Sequence, residues 1–257
     1  MIDLHSHILP GVDDGAQSLE ESMAMAEAAL QEGIDTIIAA PNHLNGSYVN
    51  DKPIILKKVN DLHNELQKRK MGLTVLPGQL TRLNGELLDD LKNGTILTIN
   101  RTSPYVLIEL PGDHVPQYTN HLLFNLQMEG YQPIIANPER NEYIQKHPNA
   151  LYTLVKNGAY SQVTAASLCG RHGRAVRKLA HQLIEANLVH VIASDIHQLQ
   201  KKKGFHMKEA YRQIEKVHGS SHVYLLKENA HSIIEGHAFI TNPPEHVIKR
   251  ELFSNFL

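Results

Sequence analysis

Short β-branched runs follow glycine or asparagine stops again and again along this chain. Gly33 precedes Asp35-Thr36-Ile37-Ile38-Ala39-Ala40, and Gly130 precedes Pro133-Ile134-Ile135-Ala136. Gly158 precedes Ser161-Gln162-Val163-Thr164, and Asn187 precedes Val189-His190-Val191-Ile192-Ala193. A helix closed by Gly or Asn and followed by an apolar extended run marks a helix-to-strand junction. The intervening helices are amphipathic. Ser18 and Glu21 form a capping box ahead of Leu19, Met23, Ala26 and Leu30. Ile55, Val59, Leu62 and Leu66 recur at steps of four, three and four. Leu73 to Gly78 reads as one more strand. Strands joined by helices run parallel. Seven or eight such units point to an α/β barrel rather than an open sheet.

The 257 residues suffice for one large domain spanning 1–257, with a looser tail from about Pro243 anchored by Phe253 and Phe256. A 42% hydrophobic and 20% charged composition excludes a disordered chain. The formal net charge of -2 gives no bulk attraction to nucleic acid or anionic lipid. Cys169 is the single cysteine, so no intrachain disulfide forms. With no signal peptide at Met1-Ile2-Asp3 and no apolar run long enough to span a bilayer, the expected location is cytoplasmic, without membrane insertion. The 17 histidines exceed ordinary usage. Many of them, such as His63, His181 and His218, are expected on solvated helix faces.

A different set carries chemistry. Asp3-Leu4-His5-Ser6-His7 opens the first apolar strand. Side chains two apart on a strand share a face, so both imidazoles converge as half of a metal site. Asp3 on that face would hold a ring nitrogen from behind. In a βα barrel the chemistry lies at the C-terminal strand ends. Those ends carry His5 and His7, Asn42 and His43, Gln79 and Leu80, Glu109, Asn137, Thr164, then Asp195 and His197. Asp13-Asp14-Gly15 alone reads as a turn, and Asp14 would lean over the same mouth. Glu109 has the alternative of a salt-bridged core carboxylate. Arg140, in Pro138-Glu139-Arg140-Asn141, is either a surface residue at a helix start or an oxyanion clamp beside the ligands.

These stretches resemble the polymerase-and-histidinol-phosphatase (PHP) superfamily. They resemble most closely its branch of bacterial protein-tyrosine phosphatases from capsule and exopolysaccharide operons, the YwqE/CpsB-like proteins. The resemblance rests on Met1 to Pro10, Val12-Asp13-Asp14-Gly15, Leu76-Pro77-Gly78-Gln79, Tyr105 to Glu109, Asn137 to Asn141 and Ala193-Ser194-Asp195-Ile196-His197. It implies a distorted (β/α)7 TIM-like barrel holding three divalent metal ions. Manganese is the expected ion, with iron, zinc or magnesium as alternatives. By carry-over His5, His7 and Asp195 hold one metal, Glu109 helps hold a second, and Asp14 and His197 help hold a third. Arg140 and Asp195 would form the catalytic pair, with Arg140 on the phosphoryl oxygens. The implied reaction is direct in-line attack of an activated hydroxide on phosphorus. Cys169, followed by Gly170, Arg171, His172 and Gly173, forms no Cys-x5-Arg loop for a covalent route.

Three ligand positions depart from the branch. Asn42 stands where a histidine is usual, Leu80 where a carboxylate is usual, and Asn137 where a histidine is usual. An asparagine carbonyl is a weak ligand for a hard cation and leucine is none. Reduced metal occupancy and turnover are therefore expected, with His43 as a possible substitute ligand. The implied substrate is a phosphotyrosine protein, the Tyr-rich tail of a bacterial polysaccharide-synthesis tyrosine kinase. The alternative from another class is a silent pseudo-phosphatase that binds such tails or the kinase. A small-phosphoester hydrolase of the histidinol-phosphate type is a third reading. Lys201-Lys202-Lys203 would attract an acidic tail or serve as plain solvated surface. Leu9, Pro10 and Tyr48 would form an apolar rim. The sequence leaves the oligomeric state open.

Overall fold

The computed structural model describes residues 1–199 and 204–248. Its strands, in chain order, are β1 (Ile2–Ser6), β2 (Thr36–Ala39), β3 (Asn42–His43), β4 (Thr74–Pro77), β5 (Leu80–Arg82), β6 (Tyr105–Glu109), β7 (Gln132–Ala136), β8 (Tyr160–Thr164) and β9 (Val191–Ala193). They pair in the orders β1-β2-β4 and β3-β5-β6-β7-β8-β9, always parallel. The two expected strands that end at Ala40 and Gly78 are each broken and resume as β3 and β5. Hydrogen bonds from Gly78 N to Ala39 O (2.9 Å) and from Leu80 N to Pro41 O (3.0 Å) carry the pairing across the breaks. A Cβ at position 78 would lie 2.4 Å from Ile38 Cγ2, so glycine permits this close approach. Past β9, Asp195 N donates to His5 O and His7 N donates to Ile196 O, both at 2.9 Å. The end of the last strand thus lies against the end of the first.

The helices are α1 (Leu19–Gln31), α2 (Lys52–Lys68), α3 (Leu87–Lys92), α4 (Thr119–Met128), α5 (Glu142–Lys146), α6 (Asn149–Lys156), α7 (Ala165–Leu168), α8 (Arg174–Glu185), α9 (Met207–His218) and α10 (Ser220–Glu235). Ser18 Oγ accepts from Glu21 N at 3.2 Å, while the Glu21 carboxylate accepts from Gln17 N at 2.8 Å, one residue earlier than a standard capping box. Gly33 (φ +80) and Asn187 (φ +56) supply the left-handed residues that stop α1 and α8. On α2 the expected stripe of Ile55, Val59, Leu62 and Leu66 is buried, each side chain contributing roughly 1.5–3 kcal/mol of hydrophobic free energy.

Neighbouring residues on one strand enter different apolar clusters. Ile37, Val106, Ile135 and Ile192 pack with the helix faces. Ile38, Leu107, Ile134 and Val191 join Leu4 and Leu80 in a second, smaller cluster. This period-two division shows that the sheet is buried on both sides. Ala230 and Ile233 of α10 close the second cluster. Ser103 Oγ donates to Ile233 O and Tyr105 Oη to His237 O, holding that helix end in place.

Several local expectations change. The segment from Pro243 is tied down through residue 248: Glu245 N donates to Ala186 O, and Val247 N to Asn149 Oδ1. Leu9 is fully buried rather than part of a rim. His63 is exposed as expected. His181 and His218 are instead half-buried, with His181 Nδ1 and His218 Nε2 sharing a hydrogen bond at 3.0 Å across α8 and α9. Lys201, Lys202, Lys203, Phe253 and Phe256 lie outside the described residues.

Candidate metal centre

β1, the loop after it and the turn after β9 bring three imidazoles to one carboxylate. Asp195 Oδ1 lies 3.1 Å from His5 Nε2, 3.5 Å from His7 Nε2 and 3.6 Å from His197 Nε2. The His7 and His197 rings stack, with centroids 3.8 Å apart. Among the described residues, two groups place their ligand atoms close enough for one ion: His5, His7 and Asp195, and His7, Asp14 and His197. His5, His7 and Asp195 are buried, whereas Asp14 is exposed. Asp195 takes a left-handed backbone (φ +52) to turn its carboxylate inward, a conformation Asp tolerates better than most residues.

The hydrogen-bond polarity fixes which nitrogens are bare. Asp195 Oδ2 can only accept, so Asn137 presents its Nδ2 to it at 3.0 Å. Asn137 Oδ1 must then accept, from Gln162 Nε2 (3.1 Å) and Thr164 Oγ1 (2.6 Å). Gln162 therefore turns Oε1 toward His5 Nδ1 at 3.0 Å, and that ring nitrogen carries the hydrogen. His5 Nε2 is left with its lone pair facing Asp195 Oδ1. His7 follows the same logic: Asp13 Oδ2 accepts from Nδ1 at 2.6 Å, so Nε2 is the nitrogen turned to the centre. His5 Nε2 and His7 Nε2 are buried without a hydrogen-bond partner, and His197 Nδ1 lies 3.0 Å from Asp14 Oδ1.

Burial holds His5 at a pKa of about 4, against the pull of Asp195. Burial also works against a charged His7, yet Asp13 and Asp195 overcome it and raise His7 to about 10, so without an ion its Nε2 carries a proton that metal binding must displace. Burial would raise Asp195, but His5, His197, His7 and Arg140 hold it well below the usual carboxylate range. An acceptor lone pair opposed to a carboxylate oxygen needs a cation between them. The donor set, imidazole nitrogen with carboxylate oxygen, suits a divalent transition metal. The residues present therefore fit such an ion.

Arg140 reaches Asp195 Oδ2 at 2.5 Å while 42% of its side chain stays exposed. It sits on a single 3-10 turn, Pro138–Arg140, that follows β7. Glu139 beside it is buried and accepts from Thr164 N and Ser167 Oγ. Glu109 joins neither ligand group among the described residues. It pairs with Arg82 at 2.9 Å across β5 and β6, the salt-bridged alternative.

The altered positions have explicit partners. Asn42 Nδ2 donates to Asp14 Oδ1 at 3.1 Å, so it too offers hydrogens rather than a carbonyl. Leu80 is packed in the smaller apolar cluster. His43 Nδ1 accepts from Asn50 N at 3.1 Å, and His43 is in neither ligand group. Asp3 serves no ring nitrogen. The β1 ladder shifts register between Asp3 and Ser6, and the Asp3 carboxylate accepts from Ser194 N (2.8 Å) and Ser194 Oγ (2.5 Å). Asp13, which the sequence presented as a turn residue, holds His7 instead. Gln162 carried a usable signal: with Thr164 it puts two polar groups on one face of a buried strand.

The family described as capsular polysaccharide synthesis, CpsB/CapC, matches residues 1–235. The tyrosine-protein phosphatase YwqE of Bacillus subtilis is 44% identical over 256 residues, covering 100% of both chains. The putative tyrosine-protein phosphatase CapC of Staphylococcus aureus is 43% identical over 199 residues, 77% of this chain and 78% of that one. A crystal structure from work on YwqE of Bacillus subtilis and CpsB of Streptococcus pneumoniae, metal-dependent tyrosine phosphatases, superposes with a TM-score of 0.93. It is 44% identical and covers 97% of this chain and 100% of that chain.

Proposed function

The chain belongs to the CpsB/CapC family of capsular polysaccharide synthesis, and from that premise we propose that it is a metal-dependent protein-tyrosine phosphatase. Its substrate is the phosphorylated Tyr-rich tail of a bacterial polysaccharide-synthesis tyrosine kinase, and its working compartment is the cytoplasm. The parallel strands and the contact between the ends of β9 and β1 support a single distorted (β/α)7 barrel of the PHP type. The observation that carries the functional reading is the bare His5 Nε2 facing Asp195 Oδ1 at 3.1 Å.

His5, His7 and Asp195 would hold a divalent ion, manganese by preference, with Asp14 and His197 beside it. When bound, that ion supplies Lewis acidity and offsets phosphoryl charge. The chain's own residues do the rest. Gln162 and Asp13 keep the two imidazoles in the metal-binding tautomer. Asp195 anchors Arg140 from behind, so the exposed part of the guanidinium is free to meet two phosphoryl oxygens in a fixed plane. Arg140 thereby orients phosphorus for in-line attack and balances charge that grows on its oxygens.

Leu80 and the inward-turned Asn42 and Asn137 amides favour a second reading, a binding protein for phosphotyrosine tails with little turnover. Hydrolysis assays on phosphotyrosine, phosphoserine and histidinol-phosphate substrates with added Mn2+ separate these readings. Release of phosphate from the phosphotyrosine peptide alone, abolished by chelator, is the expected result. Tight peptide binding without release would establish the second reading instead.

A further inference from the structure

Asn42, Leu80 and Asn137 change how much positive charge the centre can accept. The count starts from His7. Both candidate ligand groups require this residue, but Asp13 already occupies Nδ1 at 2.6 Å. Only Nε2 remains, and one lone pair serves one ion. An ion at His5, His7 and Asp195 leaves a second position with Asp14 and His197 alone. Two protein ligands, one on an exposed carboxylate, hold a dication weakly.

The remaining acids are already committed. Asp195 Oδ2 receives Asn137 Nδ2 and the Arg140 guanidinium. Glu109 is paired with Arg82. Asn137 cannot turn its carbonyl inward without breaking its hydrogen bonds to Gln162 and Thr164 and opposing Oδ1 to Asp195 Oδ2. Leu80 lies on the strand face where Arg82, two residues on, brings a cation. Counting only the ligand carboxylates and the groups ion-paired with them, with His7 neutral once an ion displaces its proton, four carboxylates (Asp13, Asp14, Glu109 and Asp195) face two guanidiniums (Arg82 and Arg140), which leaves two negative charges. One dication cancels them. A second would leave the site with two uncompensated positive charges at close range.

We infer that this centre takes a single divalent ion, at His5 Nε2, His7 Nε2 and Asp195 Oδ1, and that the Arg82 and Arg140 guanidiniums supply the other positive charge. This deepens the metallophosphatase reading and rests on it. It departs from the three-metal cluster implied by the resemblance. It also gives Arg82 a role: a fixed cation on Glu109 where further metal charge would otherwise stand.

The test is Mn2+ titration of the full chain after chelation and dialysis, followed by electron paramagnetic resonance. One equivalent should bind tightly and give the six-line spectrum of an isolated ion. Further ions, taken up by the many other histidines, should bind at least ~100-fold more weakly and without magnetic coupling. In Leu80→Glu, one added negative charge should admit a second, coupled ion. A coupled spectrum in the unaltered chain overturns the single-ion inference, and an unchanged spectrum in Leu80→Glu overturns the charge argument behind it. Phosphotyrosine hydrolysis is measured on the same samples. Coupled ions with intact hydrolysis overturn only this inference. One isolated ion without hydrolysis overturns only the phosphatase reading.

Discussion

His5 and Asp195 face each other with two acceptors: Nε2 and Oδ1 lie 3.1 Å apart, and the relay through Asn137 and Gln162 keeps the ring hydrogen on the far nitrogen. The arrangement costs free energy unless a cation stands between the two atoms. Four outcomes, three at this centre and one at His190, are measurable.

Gln162→Leu removes the acceptor that holds His5 Nδ1–H. The ring is then free to rotate or to change tautomer. Mn2+ affinity should fall about 10- to 100-fold, while circular dichroism stays native because the substitution is apolar within a buried strand. Unaltered affinity would show that the relay does not set the tautomer.

Gly15→Ala strikes backbone rather than a mobile side chain. The added Cβ would meet His7 O at 2.1 Å and His7 Cβ at 2.5 Å. Relief requires the loop carrying Asp13 to move off His7. A loss of about 2 kcal/mol or more is expected, which lowers Tm by at least about 4 °C for a chain of this size. Metal affinity should drop with it, and a variant with the original Tm would show that the loop yields without strain.

These two residues also show where sequence reading stops. The α2 stripe, the helix stops at Gly33 and Asn187, and the His5/His7 pair depend on neighbours a few positions away, and periodicity exposes them. Gln162 acts on a histidine 157 positions distant, so the polar face it shares with Thr164 marks the strand without naming that partner. Asp13 sits in a turn sequence that satisfies turn chemistry whatever its side chain does. Alternation predicts Asp3 on the His5 side, whereas its carboxylate meets Ser194, next to the register shift in β1. Asn42 and Asn137 were legible as altered ligands. Which end of each amide points inward was not, because acceptors on other strands decide it.

His190 contributes to an acid transition away from the metal centre. Its Nδ1 accepts from Ser161 N at 3.1 Å, and burial lowers its pKa from 6.5 to about 4. The unfolded chain therefore takes up a proton near pH 6.5 that the folded chain refuses until about pH 4. Stability from this group is complete above pH 6.5, falls as pH drops toward 4, and changes no further below that. The full effect is about 3 kcal/mol. His190→Asn keeps an acceptor for Ser161 N without the titration. Urea unfolding between pH 4 and 6.5 should show a shallower slope in the variant. Parallel slopes would assign the transition to other groups.

Asn42→His, Leu80→Glu and Asn137→His should behave non-additively. Asn137→His alone breaks the relay to His5 and should lower Mn2+ affinity. Leu80→Glu alone buries a charge in an apolar cluster and should destabilise the metal-free protein. The three together should raise both bound manganese and phosphotyrosine turnover, and make Tm strongly dependent on Mn2+. Metal content and turnover equal to those of the unaltered chain would refute the account of the deficit.

The Asp3–Ser194 contact joins residues 191 positions apart, and the ligands on either side of it come from the first strand and from the turn after the last. A nascent polypeptide still on the ribosome holds His5 and His7 long before Asp195 has emerged. The ion therefore cannot template the early βα units as it does in small zinc domains. Ion binding by the full ligand set therefore follows synthesis of the last strand.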